Sequence, residues 1–312
     1  MINHGNRHGS EVILTGLSGG NLLGFLAALG TFRVLSLALP SERIRLSWKL
    51  TGGAWRPVLH FQVHRIDDWF AIFMAALGKS NGCRAMSFAD NPSVDAPIFL
   101  EPEQAAAEAA TIDDRIFADF MAALGSSAWC NDKKKVLDTA FRTMQGAGHQ
   151  YFLKTMRDLV DLTTDEQIRN ALFEPWMPND KRLGMRWDAC ENRPNALRWR
   201  DPSKETVLTV RGANRVAIEA LPLFPVVGDN RNVNTTGFTF PPRRNPRFSF
   251  PIWDSPITLD TVRSLLAYEL IQQEVLSGPR LHLSGLGIQV VYRCERFNAE
   301  EKFRNFTPAF SA

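Results

Sequence analysis

Between residues 43 and 50 the chain reads Arg43-Ile44-Arg45-Leu46-Ser47-Trp48-Lys49-Leu50, polar and apolar in alternation. Successive side chains of an extended strand point to opposite faces, so the run predicts a half-buried strand with Trp48 facing inward. Gly52-Gly53 supplies a turn and Trp55 to Val63 returns, which predicts a hairpin. Upstream, Glu11 to Thr15 reads as a short strand and Gly16-Leu17-Ser18-Gly19-Gly20 as a tight turn. Asn21 is then the expected N-cap of a helix in which Leu22, Phe25, Leu26, Leu29 and Phe32 recur at three and four positions, with Pro40 as its stop.

Outward from this opening, the chain turns mostly helical from Ile66 to Phe173. Helices are expected over Trp69 to Leu77, Glu103 to Ala110, Arg115 to Leu124, Gln150 to Leu162 and Asp165 to Phe173. A hexapeptide recurs at Phe25 to Gly30, Phe73 to Gly78 and Phe120 to Gly125, but its flanks do not repeat. Its alanines suit close helix packing, and its glycine suits a left-handed helix cap. Pro175 to Pro251 is rich in proline and Asn turns and reads as loop-rich; Thr258 to Gln272 resumes a helix and Gly285 to Arg296 a strand. The expected fold is α+β: a small antiparallel or mixed sheet from the N- and C-terminal strands, packed on a mainly helical middle, with an Arg/Pro-rich irregular region. The natural division is 1–174 and 175–312, unless the two run together as one domain.

With 312 residues, 45% apolar and 22% charged, the chain has ample material for a core, which excludes disorder as the main state. Cys83, Cys130, Cys190 and Cys294 lie 47, 60 and 104 positions apart, too far for a zinc knuckle or a redox dithiol. A reduced, cytoplasmic setting is expected, and the N-terminus has no apolar core of a secretory signal. Leu22 to Leu39 approaches membrane length, but Arg33 interrupts it; a buried helix and no membrane association are expected.

The net charge of +3 says little, but its distribution says more. Residues 178–250 hold thirteen Lys or Arg against seven Asp or Glu, while the rest of the chain is net negative. Eleven of the thirteen are arginine, whose planar fork pairs with phosphate at two points and stacks on bases. Aromatics are interleaved, as in Arg186-Trp187, Arg198-Trp199-Arg200 and Arg247-Phe248, which suits a groove where phosphates give affinity and exposed bases stack. Asp132-Lys133-Lys134-Lys135 adds a compact basic patch, and Gly146 to Gln150 leads into a helix whose free amides suit a phosphate.

Enzyme signals fail. Gly78-Lys79-Ser80 lacks the first glycine and the preceding strand of a phosphate-binding loop, and no Gly-x-Ser-x-Gly elbow is present. His60 and His64 with Asp67 and Asp68 could supply metal ligands, but on a strand His60, Gln62 and His64 simply form the solvent face. Glu300-Glu301-Lys302 reads as a charged tail. No catalytic residue, metal or cofactor is therefore expected.

Two stretches carry a family likeness. Leu14-Thr15-Gly16-Leu17 followed by Asn21 to Gly30 resembles the opening of proteins encoded in type I-G (formerly I-U) CRISPR loci. Arg186-Trp187-Asp188, Ala196-Leu197-Arg198, Asp201-Pro202-Ser203 and Gly212-Ala213-Asn214-Arg215 running into Leu221 to Pro225 is similar to a central block of large-subunit-like or accessory members of those loci. Together they span about a quarter of the chain.

The resemblance implies a non-catalytic subunit of an RNA-guided effector, contacting crRNA or target DNA beside other effector subunits and a helicase-nuclease. The residues expected to touch nucleic acid are Lys133, Lys134, Lys135, Arg193, Arg198, Arg200, Arg211, Asn214, Arg215, Arg243, Arg244 and Arg247. Asn214 would read a base edge or fix the loop. The apolar N-terminal half would dock on partner subunits. A protein-interaction scaffold, or a metal-dependent nuclease built on His60, His64, Asp67 and Asp68, are the rival readings.

Overall fold

A computed structural model describes residues 10–61, 69–111, 115–131, 133–181, 183–189, 208–228, 233–273, 280–299 and 303–312. Strand β1 (Ser10–Ile13) leads into helix α1 (Leu22–Ala38), then β2 (Arg45–Thr51), β3 (Ala54–Phe61) and α2 (Trp69–Leu77). There follow α3 (Ala96–Thr111), α4 (Arg115–Leu124), β4 (Gly125–Cys130), β5 (Val136–Asp138), α5 (Phe152–Leu162) and α6 (Asp165–Phe173). Short strands β6 (Asp180–Lys181) and β7 (Leu208–Thr209) precede α7 (Arg211–Ile218), and β8 (Val226–Gly228), β9 (Val233–Thr235) and β10 (Phe238–Thr239) follow it. The chain ends with β11 (Arg247–Trp253), α8 (Leu259–Leu266), α9 (Glu269–Gln272), α10 (Arg280–Gly285), β12 (Ile288–Ala299), β13 (Phe303–Phe306) and β14 (Phe310–Ser311).

The architecture is α+β with small antiparallel sheets. The alternating run forms β2 and pairs with β3 in the expected hairpin, Trp48 opposite Pro57, with β1 on the other edge of β3. The C-terminal strands build a second sheet, β10-β11-β12-β13, with β14 also on β12. The two ends of the chain thus form separate sheets rather than one. A two-bond bridge between Leu46 and Ile257 joins them, and Trp253 Nε1 donates to the Leu46 carbonyl at 2.8 Å. Trp48 stacks on Phe25 with centroids 5.7 Å apart and meets Trp253 edge-on at 6.1 Å, so α1 and both sheets share one core. That continuous cluster runs from Leu14 to Phe306, across residue 174.

Asn21 caps α1 as its sequence predicts, its Oδ1 accepting from Gly24 N at 3.0 Å. The helix is buried nearly all round from Leu22 to Leu35, so its apolar residues belong to the core. Among the described residues no helix is long and apolar enough to cross a membrane.

The hexapeptide glycines are not left-handed caps. Gly30 lies mid-helix, where an added Cβ would sit 2.1 Å from the Val216 carbonyl oxygen; its role is to let α7 approach α1. Gly212 does the same toward α6, with Gln167 O 2.0 Å from its would-be Cβ. Gly78 opens a short 3₁₀ turn and Gly125 opens β4.

Other differences from expectation have local causes. Helix α3 begins at Ala96, seven residues early, because Pro102 inside it imitates a helix start. The 258–272 helix breaks between α8 and α9 at Ala267 and Tyr268. In the stretch expected to be loop-rich, β11 is the long partner of β12, and it tolerates Pro251 because β10 pairs only as far as Phe248.

Candidate nucleic-acid interface

The twelve expected contact residues divide sharply. Arg193, Arg198 and Arg200 lie outside the described residues. Asn214 and Arg215 are buried, at 0% and 2% exposure, which corrects the expectation that they face a ligand. Asn214 Oδ1 accepts from Met185 N at 2.8 Å, and its Nδ2 donates to Thr209 Oγ1 at 2.9 Å and Val210 O at 3.0 Å. It fixes the entry to α7.

Arg215 Nη1 meets Glu219 Oε1 at 2.8 Å, one helical turn on, while Nη2 donates to Asn81 Oδ1 at 3.0 Å, Ser80 Oγ at 3.1 Å and Leu77 O at 3.3 Å. Glu219 also faces Arg33 Nη1 at 3.6 Å, and Arg33 Nη2 lies 3.5 Å from Asp119. Burial pushes the Arg33 guanidinium below its ordinary value, and Glu219 and Asp119 pull it back up. This is an internal charge network that ties α7, α1, α4 and the end of α2 together. Its arginines are occupied.

The remaining arginines are also committed in part. Arg211 donates its backbone N to Asp180 Oδ2 at 3.0 Å and Nη1 to Leu162 O at 3.3 Å. Arg247 pairs with Glu295 across the β11–β12 ladder at 2.9 Å. Arg243 and Arg244 are exposed on the β10–β11 turn. The amide site expected before α5 is filled from within: Asn91 Oδ1 accepts from Phe152 N at 2.7 Å, and Asp90 O accepts from Leu153 N and Lys154 N.

Lys133, Lys134 and Lys135 are exposed on the β4–β5 turn. The turn is built rather than loose. Asn131 Oδ1 accepts from Lys133 N and Lys135 N, both at 3.0 Å, and Lys134 N donates to Asn131 O at 2.8 Å, with Lys134 in the left-handed region at φ 58°. None of the three ammonium groups forms an ion pair among the described residues.

Beside them is a side chain that sequence reading missed. In the β4–β5 ladder Ser126 pairs with Leu137 and Cys130 with the adjacent Val136, so Ser127, Ala128 and Trp129 bulge from the strand. Glu103 of α3 pins the bulge by accepting from both the N–H and the hydroxyl of Ser127, and Gly228 of β8 fits against Ala128. Trp129 is left 39% exposed on this support, four residues before Lys133. The only sequence signal was the proximity of a tryptophan to the lysine run. Strands β4 and β10, which carry the lysine and arginine turns, both pack on the β8–β9 hairpin.

Of the rival metal site only His60 lies among the described residues. His64, Asp67 and Asp68 lie outside the described residues; His60 Nε2 sits 2.8 Å from Ser47 Oγ and Nδ1 3.3 Å from Glu11. No group of three metal-ligating side chains occurs among the described residues. No family model matches the chain, and no curated protein or solved structure matches it either.

Proposed function

We propose that the chain is a non-catalytic nucleic-acid-binding subunit of a type I CRISPR effector, and that it grips a single strand at the β4–β5 turn. The observation that carries the reading is the pairing of an exposed aromatic, Trp129, with three exposed lysines that form no ion pair among the described residues, on a turn held by Asn131 and Glu103. A tryptophan face stacks on unpaired bases of any identity, and ammonium groups hold the phosphates between them. Arg243 and Arg244, on a turn whose strand packs on the same β8–β9 hairpin, extend the basic surface. The assignment to the CRISPR pathway rests on the resemblance of Leu14 to Gly30 and of the block from Arg186 to Pro225.

Fluorescence anisotropy with labelled single-stranded DNA and RNA 20-mers tests the binding claim. Saturable binding is expected, weakened at least tenfold when Lys133, Lys134 and Lys135 are all replaced by Gln. Absence of binding at low salt, or full affinity in the triple variant, overturns it and favours the scaffold reading. For the pathway, the protein purified from its native host should carry small RNAs bearing CRISPR repeat sequence.

A further inference from the structure

Away from the lysine turn, three arginines converge on one carboxylate. Arg142 and Asp138 are joined by a salt bridge on the segment leaving β5, with Arg142 Nη2 3.3 Å from Asp138 Oδ1. On the facing hairpin, Arg296 pairs opposite Phe306 and Asn298 opposite Arg304, so Arg296 and Arg304 are diagonal neighbours on one face of the β12–β13 ladder. That face lies against residues 138–143: Arg296 Nη1 donates to Ala140 O at 2.7 Å, and Arg304 N donates to Thr143 O at 2.9 Å. The Arg304 guanidinium has no hydrogen bond or ion pair among the described residues.

Among the described residues, three guanidinium groups and one carboxylate leave an excess of two positive charges. Arg142 is only 9% exposed, and Arg296 and Arg304 are half-buried. Burial pushes Arg296 down to about 9, with Arg304 adding repulsion, and burial followed by repulsion from Arg142 lowers Arg304. The fold thus holds guanidinium groups together where water screens them poorly. An anion removes that repulsion.

We propose that Arg142, Arg296 and Arg304 form a binding site for a dianionic phosphate group. Its two negative charges match the excess, and guanidinium forks bond phosphate oxygens at two points each. Arg304, whose guanidinium has no hydrogen bond or ion pair among the described residues, supplies the open fork; Asp138 holds Arg142 in place. The site is separate from Trp129 and the lysines, and stands or falls independently of them.

Scanning fluorimetry on the whole chain tests it, comparing sodium phosphate with sodium chloride at equal ionic strength. The expected result is a saturable rise in Tm with phosphate alone, since a ligand bound only to the folded state stabilises it by mass action. Arg304→Gln should abolish the rise while leaving the phosphate-free Tm equal to or above the parent's, because it removes a partly buried charge repelled by Arg142. Arg304→Lys, which keeps the charge and loses the fork, should weaken the response at least tenfold in phosphate concentration. The Lys133, Lys134, Lys135 triple Gln variant should respond like the parent, which keeps this proposal distinguishable from the strand-binding one. A trinucleotide with a 5′-phosphate, set against its 5′-hydroxyl form, tells a strand end from a free phosphate: a rise with the phosphorylated form alone identifies a strand end, and a rise with inorganic phosphate but neither trinucleotide identifies a small ligand. No phosphate-specific rise with any of these probes, or an undiminished rise in Arg304→Gln, overturns the proposal.

Discussion

Helix α7 and the β4–β5 turn are both basic in sequence, yet the fold uses their charges in opposite ways. Arg215 is enclosed, with Glu219, Ser80, Asn81 and the Leu77 carbonyl filling its donors, whereas Lys133, Lys134 and Lys135 are exposed on a turn and form no ion pair among the described residues. The arginine works on stability and the lysines are free to work on a ligand. A cationic stretch is therefore a binding surface only where its groups remain hydrated and unpaired, and burial, not composition, decides which stretch qualifies.

The contrast breaks most forcefully at Arg215. Arg215→Ala strands the Glu219 carboxylate in the interior, and a chemical-denaturation measurement should show a loss of about 3–5 kcal/mol, as for other broken buried pairs. The folded fraction should bind single strands as the parent does. Gly30→Ala presses a methyl group on the Val216 carbonyl and forces α1 and α7 apart, at a cost near the upper end of about 1–3 kcal/mol, read as a lower midpoint with unchanged binding. On the other side of the comparison, Trp129→Ala should leave the unfolding midpoint nearly unmoved and weaken oligonucleotide binding by about 1–3 kcal/mol in anisotropy titrations, the loss of one stacked base.

A smaller effect belongs to His60 in the β2–β3 hairpin. Burial lowers its pKa from 6.5 in spite of Glu11, which pulls upward. A depressed folded-state value means that its contribution to stability is complete above about pH 6.5 and is lost as pH falls through the lower folded value. Unfolding midpoints measured from pH 8 to pH 5 should decline along that window, and His60→Gln should flatten the decline.

Much of the scaffold could be read from local pattern. The boundaries of α2, α4 and α6 coincide with their apolar periodicity, and α6 carries a capping box in which Thr164 and Gln167 satisfy each other's backbone. The β2–β3 hairpin followed from alternation and Gly52-Gly53. The site was harder because its determinants are distant in sequence. Only Glu219, four residues after Arg215, hinted at an ion pair; the other partners come from residues 77–81. Trp129 was hidden because three bulged residues break the alternation that marks a strand, and because its support, Glu103, belongs to another helix. Arg142, Arg296 and Arg304 share no sequence neighbourhood, and pairing of β12 with β13 is what brings them together.

The salt dependence of single-strand affinity bears most directly on the central claim that the lysine turn, not α7, is the contact surface. Each phosphate contact on a single strand contributes a slope of about −0.7 in log K against log salt. Replacing Lys133, Lys134 and Lys135 by Gln should flatten the slope by about 2 units. An unchanged slope in that variant, with affinity intact, would contradict the account.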